Sequence, residues 1–171
     1  AYDVRQTQGR PLKEVHLQND TRDMESAMTT LLNYAVCQVV IDKDLDTPAV
    51  YDPQRMELAI NPDYPDHEMF AAIATAVAHS RLHGKGYNAQ YDYAESDLDA
   101  QSVSYLLCRR FGVERDLPDT AELPALYDGW DAQERRQALD QIQKMSKQIG
   151  ASVEKSITPQ RSRVPMQHNG R

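Results

Sequence analysis

The sequence predicts an α+β domain, and three observations predict it. Apolar residues recur at three- and four-residue spacing in several long stretches, the signature of helices with one buried face. Between residues 38 and 61 that period gives way to short β-branched runs separated by turn residues. A run at 73–83 (IATAVAHSRLH) then places histidines one helical turn apart. The expected architecture is a small, mostly antiparallel sheet with the histidine-bearing helix packed beneath it. An acidic helix crosses nearby, and long helices stand at the N- and C-terminal ends.

The bounds are those of an ordinary soluble domain. The chain has 171 residues, 40% hydrophobic, enough to bury a core. No apolar run approaches the roughly 18 residues of a membrane span, and nothing at the N-terminus reads as a signal peptide. A cytoplasmic protein is expected. The chain opens at Ala1 without Met, which reads as an excerpt of something longer. The net charge of −7 argues against nucleic-acid binding by the body of the domain. Residues 1–158 form one domain, and residues 159–171 form a basic tail (Arg161, Arg163, Arg171, no acid) expected to be disordered. Cys37 and Cys108 lie in apolar surroundings and read as reduced core thiols.

Each element has its own reason. Residues 1–18 read as a short strand or extended arm broken by Gly9 and Pro11. Residues 20–40 read as the first helix, with Asp20 and Thr21 as capping candidates and Met24, Ala27, Met28, Leu31 and Leu32 on its buried face. Residues 38–61 read as a β-meander with a hairpin around Pro53. Asp66 is a cap for the histidine helix, which buries Phe70, Ile73, Ala74 and Val77 and ends at Gly84 and Gly86. Thr75, His79 and His83 share an adjacent stripe. Residues 97–111 read as the acidic helix, closed by Gly112, with Asp99 turned inward and Asp97 over Ala100 and Ser104. A linker with Pro118 and Pro124 follows, holding at most one short helical turn. Asp131 and Glu134 then form a capping pair for a last helix with Leu139, Ile142, Met145, Ile149, Val153 and Ile157 on its apolar stripe.

The histidine helix invites a metal reading. A zinc hydrolase needs two imidazoles at i and i+4, a third ligand from elsewhere and a general base beside the metal-bound water. The HExxH spacing supplies the first two ligands and the base on one helix. Two registers fit here. The first, Thr75 to His79, lacks the first imidazole and has Ala76 at the base position. The second, His79 to His83, keeps both imidazoles and has Ser80 at the base position. Neither leaves a carboxylate beside the ion, a loss of about 10²–10⁴-fold in rate. The plainer account makes His79 a hydrogen-bonded, partly buried histidine and His83 a polar residue near a helix end. Acids such as Asp97 and Asp99 in a first helical turn are likewise what capping and the helix dipole favour.

Four segments together carry a resemblance: residues 2–12 (YDVRQTQGRPL), residues 51–61 from YDP to IN, residues 97–108 (DLDAQSVSYLLC), and residues 126–130 (LYDGW) with the helix after them. In their order and spacing the chain resembles the zincin-like metallopeptidase domain of ArdC-type antirestriction proteins and related polyvalent proteins of mobile elements. It is more distantly similar to the ImmA/IrrE peptidases. The resemblance implies the first register. Thr75 stands where relatives carry His, Ala76 where they carry the catalytic Glu, and His79 matches the second histidine. Asp99 falls at the third-ligand position, with Asp97 the neighbouring candidate. The implied protein is a catalytically inactive, zincin-like module of a mobile-element protein with a binding or scaffolding role. No catalytic residue is then expected. Its partner would be a protein or peptide, not a nucleic acid or a membrane.

Two alternatives stand beside it. One is a zinc-dependent metallopeptidase with a rearranged ligand set of His79, His83 and Asp97 or Asp99, the only set through which zinc would be retained. The other is an antirestriction or DNA-associated accessory protein, which rests on family association alone.

Overall fold

The computed structural model describes residues 15–84, 90–121 and 128–157. Among them are α1 (Arg22–Asn33), β1 (Gln38–Ile41), β2 (Ala49–Asp52), β3 (Glu57–Ile60), α2 (Asp66–Gly84), α3 (Tyr93–Arg110) and α4 (Ala132–Ile157). Residues 1–14 of the expected arm, Gly86, residues 122–127 of the expected linker and the tail lie outside the described residues. The α+β class holds. No helix among the described residues is long and apolar enough to cross a membrane.

The sheet differs from the expected meander. Its order is β1-β3-β2, so the last strand in sequence is the central one. β2 and β3 form the anticipated antiparallel hairpin, but β1 runs parallel to β3. The sheet is therefore mixed, not mostly antiparallel. The cause is at Asn61, buried at the end of β3. Its side-chain amide donates to Lys43 O (3.1 Å) and Leu45 O (2.8 Å), and its backbone N–H donates to Pro48 O (2.9 Å). These bonds pin the 42–48 loop across the end of β3, so β1 and β2 flank that strand instead of pairing with each other. In the hairpin, Asp52 Oδ1 accepts from the N–H groups of Gln54 and Arg55, and Met56 takes a positive φ of 50°. That is turn chemistry built by an Asx side chain.

Helix α2 is the central element. Met69, Phe70, Ile73, Ala74, Ala76, Val77, Ala78, His79 and Ser80 are all buried, so it is enclosed on nearly every side. It packs against α3, α1 and strands β2 and β3. Asp66 is its first residue rather than a cap, and its carboxylate accepts from Asp20 N at 2.7 Å, tying α2 to the start of α1.

Two helix boundaries move. Helix α1 is short (12 residues), because the chain leaves helical geometry at Tyr34 and turns into β1; Thr21 is its N-cap, accepting from Met24 N. Helix α3 begins at Tyr93, four residues earlier than expected, because Asp92 caps it by accepting from Glu95 N. Asp97 and Asp99 are therefore beyond the first turn, and capping does not explain them. Gly112 closes α3 at φ 64°, where any side chain would be strained.

Helix α4 lies across α1 and α3. The reciprocal bonds Glu134 N to Asp131 Oδ1 (2.8 Å) and Asp131 N to Glu134 Oε2 (2.9 Å) make the expected capping box. Ile142, Met145, Ile149, Val153 and Ile157 are buried, but Leu139 is 57% exposed and stands off the stripe. Cys37 and Cys108 are free thiols.

Candidate binding cleft

A cleft of about 970 Å³ opens between β2, α2, α3 and the segment after α3. One wall is Pro48, Ala49, Val50 and Tyr51. The floor is the α2 stripe Glu68, Ala71, Ala72, Thr75 and Ala76. Tyr93, Asp97 and Gln101 of α3 and residues Glu114, Arg115, Asp116 and Leu117 complete it. Thr75 and Ala76 thus both face this space.

The wall at β2 is a sheet edge, since β2 pairs only with β3 among the described residues. In an antiparallel pair, hydrogen-bonded and non-hydrogen-bonded positions alternate. Asn61 N donates to Pro48 O, so the bonded positions on β2 are 48, 50 and 52. The N–H and C=O groups of Ala49 and Tyr51 therefore turn away from β3, toward the cleft.

The floor carries a continuous polar chain. Arg115 Nη1 donates to Thr75 Oγ1 (3.1 Å) and, in a short bond, to Ser104 Oγ. Its Nη2 donates to Gln101 Oε1 (3.2 Å), and Gln101 Nε2 donates to Asp97 Oδ2 (2.6 Å). Asp97 Oδ1 bonds His79 Nε2 at 2.9 Å, and His79 Nδ1 meets Tyr91 Oη at 2.8 Å. Hydrogen bonding from His79 holds the Asp97 carboxyl below the usual range, against the opposing effect of burial; Gln101 and Arg115 add to the lowering. Burial raises the Tyr91 hydroxyl above its ordinary range, so it stays protonated and can donate. A neutral His79 then carries its proton on Nε2, donates to Asp97 and accepts from Tyr91. Tyr93 stacks on the His79 ring at 4.0 Å.

His83 belongs to a neighbouring group. Its ring stacks on Tyr91 at 4.4 Å, and its Nδ1 meets Tyr51 Oη at 2.6 Å. Burial pushes the Tyr51 hydroxyl up to about 12, so it is the donor.

This arrangement does not fit a zinc ion. Both ring nitrogens of the wholly buried His79 are engaged, and Thr75 accepts from a guanidinium. His83 is bonded away from Asp97, and Asp99 does not line the cleft. Among the described residues, no group of three or more His, Cys, Asp or Glu side chains could hold a metal. Arg115 places a guanidinium charge near Asp97. Of the residues singled out from the sequence, His79 and Asp97 are brought together, Thr75 and Ala76 line the same space, and His83 and Asp99 lie outside the bonded chain. Arg115, Gln101, Ser104 and Tyr91 were not anticipated as site residues. Arg115 stands in a linker with no periodicity to mark it, between two acids that make it look solvated.

No protein-family model, no curated protein and no solved structure matches this chain.

Proposed function

We propose that this chain is a non-catalytic, zincin-like module of a mobile-element protein that binds an extended peptide by strand addition along β2. The observation that carries the reading is the edge of β2, whose Ala49 and Tyr51 backbone groups turn toward a cleft floored by small side chains. A peptide laid there would gain main-chain hydrogen bonds, and its alternate side chains would enter the cleft. The non-catalytic part is supported by Thr75 and Ala76, which stand where the resembling peptidases carry a metal-binding His and a catalytic Glu. It is supported too by the engagement of His79 on both ring nitrogens.

Ala49→Pro tests the binding mode. It removes a donor facing the cleft without touching a bond to β3, and proline is tolerated on a strand edge. Peptides selected on the wild-type chain should lose binding to this variant while its melting temperature stays within a few degrees. Undiminished binding by a folded Ala49→Pro protein would end the strand-addition reading. Zinc-dependent cleavage of a protein substrate that disappears in His79→Ala would end the non-catalytic one.

A further inference from the structure

We infer that the occupant of this cleft is an extended peptide bearing basic side chains. The inference rests on the strand-addition reading and adds to it the class of ligand. Four carboxylates line the cleft (Glu68, Asp97, Glu114 and Asp116) against one guanidinium, Arg115, which leaves a charge of −3 when His67 is neutral. The two inner charges, Asp97 and Arg115, face each other and are linked through Gln101. The surplus is therefore at the mouth. Glu68, Glu114 and Asp116 are all exposed, the first in the opening turn of α2 and the others on the segment across the cleft. The imidazole nearest Glu68 is His67 at 4.0 Å, and it carries charge only when protonated.

Apolar walls beside such a rim concentrate its field on an incoming cation. Val50 on the wall and Ala71 and Ala72 on the floor supply that apolar surface. Leu117, 73% exposed at the rim, offers a surface to the aliphatic stem of a lysine or arginine. An extended chain sets every second side chain on one face, about 7 Å apart, so alternate basic residues can meet the rim acids while the backbone pairs with β2. Arg115 does not make the cleft an anion site. Four of its five N–H groups already donate, to Thr75, Ser104, Gln101 and the Asp116 carbonyl.

A random decapeptide library displayed on phage and panned on the full chain tests this, with fluorescence anisotropy on the leading peptides. The expected result is enrichment of Lys and Arg at alternate positions. The triple variant Glu68→Gln, Glu114→Gln, Asp116→Asn should weaken the leading peptide about 10-fold, the combined effect of three exposed charge contacts worth a factor of about two each. Raising salt from about 0.05 to about 0.5 M should weaken the wild type similarly. Neutral or acidic peptides that bind the triple variant as well as the wild type overturn the basic class. If Ala49→Pro still abolishes their binding, strand addition survives that result. Basic peptides that bind Ala49→Pro normally overturn strand addition, and a library with no enrichment overturns both.

Discussion

His79 is the residue on which the floor of the cleft turns. It is wholly buried, bonded to Asp97 and Tyr91, and stacked on Tyr93. His79→Ala removes the ring and leaves the Asp97 carboxylate without its main partner. A loss of about 3 kcal/mol in urea unfolding is expected, typical of breaking a buried polar network. Asp97 gives a pH test. Its folded carboxyl titrates below the ordinary value of 3.8, so the folded protein binds that proton more weakly than the unfolded chain does. The associated stability is present above the ordinary value and is lost as pH falls through the lower folded value. Asp97→Asn should therefore be less stable than wild type at neutral pH, with the gap narrowing in acid denaturation below about pH 4. The thiols should separate as well. Burial raises both thiols, Cys108 up to about 11, but Cys37 is only partly covered, so Cys37 should react first with a thiol reagent at pH 8. At this scale the sequence shows its histidines well, because an i, i+4 pair on an apolar helix is a local pattern. It shows the partner of His79 less well. Asp97 and Asp99 differ only in which way the helix turns them, and that depends on where α3 begins. Arg115 is invisible, since its role depends on contacts made across the fold.

Elements are legible where a local signal sets them. The capping box at Asp131 and Glu134 and the hairpin at Asp52 both follow from side chains bonding to nearby backbone. Asp131→Ala should cost about 1 kcal/mol, read as a lower melting temperature, with the first turn of α4 most affected in hydrogen exchange. The strand order is not legible. Whether β1 pairs with β2 or with β3 is decided by Asn61 reaching the 42–48 loop, a contact that no periodicity announces. Helix α2 shows the same limit in another form. Its hydrophobic residues suggest one buried face, yet Ala76, Ala78 and Ser80 are buried too, because the sheet and two helices enclose it.

For the whole molecule, the reading predicts a protein that does not need metal. Elemental analysis after zinc addition and dialysis should find less than about a tenth of an equivalent, since a catalytic zinc site takes three protein ligands. Near one equivalent would mean that His79 leaves Asp97 or Tyr91 to bind the ion. The strand order has a consequence of a different kind. During synthesis β1 and β2 leave the ribosome before β3, the strand that each pairs with among the described residues. Until Ile60 is free of the exit tunnel, the nascent chain holds two strands with nowhere to go. Ile41, 69% exposed even in the finished fold, sits on one of them. A pause that holds residues 53–60 inside the tunnel would leave both strands open to chaperones, whereas release of Ile60 would let the sheet close from its centre outward.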